Sequence, residues 1–176
     1  GQLITKTYIG TILLDENKNA TSNIEDDILK IAVVNRYQEK PIAVAFIKNF
    51  GLKRGALASS VAHDSHNIIV VGVDDESMCK AANAIIAEKG GLSVTDGNET
   101  KVLPLPVAGL MSTDSCETVA ENYLQLVKFA KEIGCTLHSP FMSLSFMALL
   151  VIPSLKLSDK GLFDGNNFKF CDLGVN

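Results

Sequence analysis

Four apolar runs follow one another before any segment with helical spacing: DILKIAVVNRY (27–37), IAVAFIKNF (42–50), ALASSVA (56–62) and NIIVVGV (67–73). Each is short, rich in β-branched residues or alanine, and bounded by polar residues, as strands are. The first two are joined by QEKP and read as an antiparallel hairpin, while GLKRG and HDSH supply the next two turns. Strands that arrive in a run, ahead of the helices, belong to α+β layering rather than to a doubly wound parallel sheet, in which the two alternate. The expected fold is therefore α+β. It is a mainly antiparallel sheet, a meander of about four strands in its first half, with two or three amphipathic helices packed on it.

Helical spacing begins at DDESMCKAANAIIAEKGG (74–91). Asp74 or Asp75 can cap its start, acids fill the first turn, and Gly90 and Gly91 stop it. Met78, Ala82, Ile85 and Ile86 fall on one face, which predicts burial there. GLSVTDGNETKVLPL (91–105) reads as strand, Asp96-Gly97 turn, strand. The segment 112–135 is the clearest helix, with Ser or Thr caps, an apolar stripe at Val119, Tyr123, Leu126, Val127 and Ala130, and Gly134 as terminator. A shorter helix is expected over 141–150, and one or two short strands over 155–173. The weakly patterned residues 1–24 are set apart from an α+β domain over 25–176.

At 176 residues the chain can bury a substantial core. With aromatics sparse and Trp absent, that core must come from Ile, Val, Leu and Ala. A net charge of −4, with Lys48, Lys53 and Arg54 as the one basic cluster, argues against a nucleic-acid surface. Cys79, Cys116, Cys135 and Cys171 are scattered and form no CxxC, so neither a zinc ribbon nor a thioredoxin-type pair is suggested. They read as reduced thiols of a cytoplasmic protein. The run FMSLSFMALLVIP (141–153) is too short to span a bilayer, and no targeting segment is read at the N-terminus, so no membrane partner is expected. Apolar composition in an acidic chain points to a buried interface, and a homo-oligomer is expected.

Polar chemistry concentrates in SSVAHDSHN (59–67), which holds two of the three histidines. His63 and His66 are three apart, a spacing that sends side chains to opposite faces of a strand but lets them converge in a tight turn. A zinc or manganese site needs three or four ligands, and beyond Asp64 none is evident nearby, so no metal site is assigned to this chain. The alternatives are an acid/base unit built on His63, Asp64 and His66, or a structural turn in which Asp64 and Asn67 bond to backbone amides. Ser59 and Ser60 lie close by, without the GxSxG surroundings of a nucleophilic serine. The passage VVGVDDES has no Gly-rich loop and places acids where a phosphate would sit, which excludes a dinucleotide cradle.

The stretch FIKNFGLKRGALASSVAHDSHNIIVVGVDDESM, preceded by LKIAVVNRY and followed by KGG, LPLPVAGLMS and GCTLHSPFMSLSFMALLVIPSLKLSDKGLFD, resembles the C-terminal domain of bacterial and archaeal adenine deaminases, members of the amidohydrolase superfamily. The resemblance covers about residues 25–172. It implies a longer enzyme that hydrolyses adenine to hypoxanthine and ammonia in purine salvage. It also implies a metal-binding (β/α)₈ barrel ahead of this domain, with a His-x-His motif and a manganese or iron ion. This chain has no His-x-His and is shorter than a barrel of about 250 residues. It begins with Gly and is expected to be an excised domain, a fragment or a separate subunit, inactive alone. The resemblance makes the barrel domain the expected partner and a purine the expected small molecule. His63, Asp64 and His66 become candidates for an active-site contribution, and Ser59 and Ser60 for substrate binding. A free-standing purine-binding or regulatory module is the alternative.

Overall fold

The computed structural model describes residues 3–174; residues 1–2 and 175–176, the outer ends of the expected segments 1–24 and 25–176, lie outside the described residues. A six-stranded sheet forms the centre, from β3 (Ile28–Val34), β4 (Ala43–Lys48), β5 (Ala56–Ser59), β6 (Ile68–Gly72), β7 (Gly91–Thr95) and β8 (Thr100–Pro104). Its order is β4-β3-β6-β5-β7-β8, and every ladder is antiparallel. Ahead of it lies a small hairpin, β1 (Leu13–Leu14) with β2 (Ala20–Thr21). After it comes a three-stranded sheet of β9 (Leu155–Ser158), β10 (Gly161–Asp164) and β11 (Lys169–Phe170). The tail thus carries three short strands where one or two were expected.

The hairpins β3–β4, β5–β6 and β7–β8 occur as the sequence predicts, but they do not follow one another as a meander. β6 pairs with β3, and β5 sits between β6 and β7. The reason lies in burial. All residues of β5 and β6 are buried, so these strands need cover on both faces and partners on both edges. β4, which is half exposed, takes the edge instead.

Alternation along the strands separates two faces. Ala32, Ala56, Ala58, Ile68 and Val70 receive α1 (Asp75–Ala87) through Met78, Ala81, Ala82 and Ile85. The small alanines let the helix lie close. The other face, with Leu29, Ile31, Val33, Leu57, Val71 and Val94, packs against α2 (Cys116–Glu132), α3 (Pro140–Phe146) and Leu157 of β9. Asp74 caps α1, its Oδ1 accepting from the Ser77 amide at 2.7 Å. Ile86, expected on the buried face, is 49% exposed, because it lies one residue's rotation past Ile85. On α2 the stripe behaves as read: Leu126 and Ala130 are buried, and Val119, Tyr123 and Val127 pack partly against the same core. α3 is shorter than its apolar run, passing after Phe146 into successive turns that end at Pro153.

Candidate functional site

Strand register decides which loops meet. Val34 pairs with Ile68, Ser59 with Ile69 and with Leu92, and Gly91 with Pro104. The connections 35–42, 60–67, 88–90 and 105–111 therefore emerge at one end of the sheet. Ser60 ties them together there. Its buried hydroxyl accepts from the Gly91 amide at 2.8 Å and donates to the Gly109 carbonyl at 2.6 Å. Gly90 has a φ of +134°, and a Cβ there would come within 2.3 Å of Gly109 Cα, so only glycine permits this crossing. The side chain of Arg36 also reaches across, donating to the Ala108 carbonyl.

The histidine turn projects from this end. The His63 amide donates to the Ser145 carbonyl of α3 at 3.1 Å, and the turn closes when the His66 amide donates to the Ala62 carbonyl at 2.7 Å. His66 adopts a left-handed φ of 51°. The spacing of three does bring the rings together: their centroids are 5.8 Å apart with planes at 73°. The His63 ring also rests on Phe146, with centroids 4.9 Å apart. Asp64 and Ser65 face solvent.

Asn67 holds the turn by accepting from the Arg36 amide at 3.2 Å and donating to Ser65 Oγ at 3.2 Å. The exposed Asp64 does not share this role: the backbone bond from His66 closes the turn that its carboxylate was expected to hold. Ser59 and Ser60, read as hydroxyls facing a substrate, are wholly buried. Ser59 Oγ accepts from the Val61 amide at 2.9 Å and donates to the Val61 carbonyl at 3.1 Å, so both hydroxyls are engaged by backbone.

Burial pushes the pKa of His66 below its ordinary value, and the neighbouring His63 and Arg36 push it the same way against an opposing pull from Asp64. An imidazole so placed is neutral at pH 7. His66 Nδ1 and Arg36 Nε are both buried without a hydrogen-bond partner. Arg36 and Tyr37 escaped the sequence reading as site residues, although the Tyr37 hydroxyl donates to the Ser65 carbonyl at 3.0 Å and the Arg36 guanidinium lies 5.1 Å from the Tyr37 ring centroid. The one signal was their place in a polar connection between two strong strands. With Ser60, Ile68, Ile85, Ile86, Lys89 and Gly90 they line a cavity of about 300 Å³. Among the described residues, no group of three or more His, Cys, Asp and Glu side chains is placed to hold a metal ion. No helix among them is long and apolar enough to cross a membrane.

Comparison with known proteins gives this arrangement a family. The model of the adenine deaminase C-terminal domain matches residues 2–169. An adenine deaminase of Borreliella burgdorferi is 53% identical over 174 residues, covering 97% of this chain and 31% of that protein. One from Methanosarcina mazei is 54% identical over 158 residues, with 90% of this chain and 28% of the relative covered. One from Sulfurovum is 54% identical over 159 residues, 90% of this chain and 30% of the relative. The chain thus spans less than a third of the length of these relatives, and the part it matches is the one the family model describes. By these matches the chain belongs to the adenine deaminase C-terminal domain family.

Proposed function

We propose that this domain works as one part of a longer adenine deaminase, which converts adenine and water to hypoxanthine and ammonia in purine salvage. The family match over residues 2–169 carries this reading. In it, the loops at the site end of the sheet lie over the mouth of an amidohydrolase barrel that belongs to the longer protein, where a closing domain excludes water and orients the base. A divalent ion, manganese or iron, held by residues of that barrel would supply the activated water. The turn of this chain does not fit such an ion: it offers two rings and a carboxylate directed to solvent, short of a closed ligand set.

His66 is the residue the reading places nearest the purine. Its Nδ1, buried without a hydrogen-bond partner in this domain, can hydrogen-bond a ring nitrogen or pass a proton once the turn repacks against the rest of the longer protein. His63 orients it from the Phe146 side, and the Asp64 carboxylate steadies its charge when it protonates. Ser59 and Ser60 act as positioning residues through the strand ends they hold. The free thiols of Cys79, Cys116, Cys135 and Cys171 support a reducing, cytoplasmic setting.

Steady-state adenine turnover by the full-length protein tests the assignment. His66→Ala and His63→Ala are expected to lower kcat/KM by about 10–100-fold, the usual loss for groups that support a metal-centred site, and Asp64→Asn by less. Unchanged turnover in all three variants would make the turn structural only. The isolated chain with added manganese is expected to release no ammonia from adenine; turnover by it would end the reading.

A further inference from the structure

The first described residues do not trail away from the domain. The Thr5 amide donates to the Pro153 carbonyl at 3.0 Å, and the Ser154 amide to the Thr5 carbonyl at 3.3 Å. Thr5 Oγ1 accepts from the Ser154 and Leu155 amides at 3.0 and 3.1 Å and donates to the Leu155 carbonyl at 2.9 Å. Two residues before Thr5, the Leu3 carbonyl accepts from the ammonium of Lys156, itself only 2% exposed, at 2.6 Å. Residues 3–5 are thereby fastened to β9 by a set of bonds that a free tail does not make.

Beside this clamp the surface is apolar and open. Leu3, Ile4, Val151, Ile152 and Pro153 line a groove of about 690 Å³. Ile4 is 64% exposed and Val151 62%. The strap continues past the clamp with Ile9 at 74% and Leu14 at 63% exposure. Scattered exposed leucines need no explanation, but a contiguous apolar groove marks a surface that something covers.

We propose that the groove between residues 3–4 and 151–153 seats the preceding part of the same polypeptide, which the clamp at residues 3–5 delivers to it. The inference rests on reading the chain as one part of a longer adenine deaminase. Two observations select this occupant. The matched relatives have more than two thirds of their length outside the matched region, and the family model is that of a C-terminal domain, so a larger body of chain precedes this one in each of them. That body enters at the clamp, against the groove, where it is covalently tethered and its effective concentration is high. The groove is also joined to the candidate site along the chain. Residues 147–153 follow α3 directly, and Ser145 and Phe146 of α3 hold His63. Docking at the groove therefore bears on the histidine turn through α3.

The test uses the full-length protein and two measurements independent of activity. Hydroxyl-radical labelling of the native protein should modify Ile4 and Val151 at least tenfold more slowly than Leu124, a residue of α2 that is 65% exposed. The double variant Ile4→Asp, Val151→Asp changes only side chains exposed in this domain. It should divide one thermal transition into two and raise amide exchange across residues 3–14 by tenfold or more, while the β3–β8 sheet keeps its protection. Leu124→Asp should do neither. Labelling of Ile4 and Val151 at the rate of Leu124, or a double variant that melts and exchanges like the parent, overturns the proposal. Protection that fades on dilution assigns the groove to a second copy and overturns it as well. A full-length protein that fails to deaminate adenine would sink the functional reading while leaving these measurements to stand or fall separately.

Discussion

Lys156 shows how one side chain can place a constraint on a whole segment. It lies in the middle of β9, opposite Phe163 of β10, where its ammonium is removed from water and satisfied by a single carbonyl. Burial pushes its pKa down to about 8 from 10.5. Between those values the unfolded chain binds more protons than the folded one, so this group makes stability rise with pH across that window, and below it the cost of burying the charge is present in full. Lys156→Met keeps the aliphatic packing and removes the titration. The unfolding free energy of the parent minus that of the variant should therefore increase by on the order of 2 kcal/mol between about pH 7.5 and about pH 10, measured by urea titration at each pH. A difference independent of pH would mean that the ammonium is solvated.

At the scale of the elements, what the sequence made legible was what depends on local spacing. The cap at Asp74, the stripe on α2 and the Asp96-Gly97 turn all follow from residues within a few positions of one another. In that turn Asp96 Oδ1 accepts from the Asn98 and Glu99 amides at 2.9 and 2.8 Å. The order of strands was not legible, because β5 and β6 choose neighbours by total burial, a property of the finished sheet. The site shared this limit. The convergence of His63 and His66 was open to a reading by spacing, but Arg36 reaches the turn only through the pairing of β3 with β6, which no local pattern announces. Nor could Ser60 be recognised as bound to backbone before Gly91 and Gly109 were placed, although Ser59 bonds only to Val61, two residues on. A test at this scale concerns α1. Asp74→Ala removes the acceptor for the Ser77 amide and should cost about 1 kcal/mol, while Asp74→Asn, which can still cap, should cost a few tenths. Equal losses in urea unfolding would show that the charge, not the cap, matters at this end.

The molecule as a whole joins a rigid sheet to loops that depend on it for their positions. α3 is the link: Leu144 is fully buried in the core, and the next two residues carry the carbonyl that holds the His63 amide and the ring on which His63 rests. Loss of packing at Leu144 should therefore be felt at the site, whereas loss elsewhere in the same core should not. Leu29, equally buried in β3, a strand α3 does not pack on, provides the comparison. Leu144→Ala and Leu29→Ala should each cost about 2–5 kcal/mol by removing buried methyl groups and leaving a cavity. Only the first should move the His63 ring resonances, which lie within the ring current of Phe146, toward their values in an unfolded peptide. Histidine NMR spectra of the two variants, recorded where both remain folded, read this directly. If both variants leave the His63 signals in place, the turn is held from the sheet side by Asn67 and Tyr37 and not by α3.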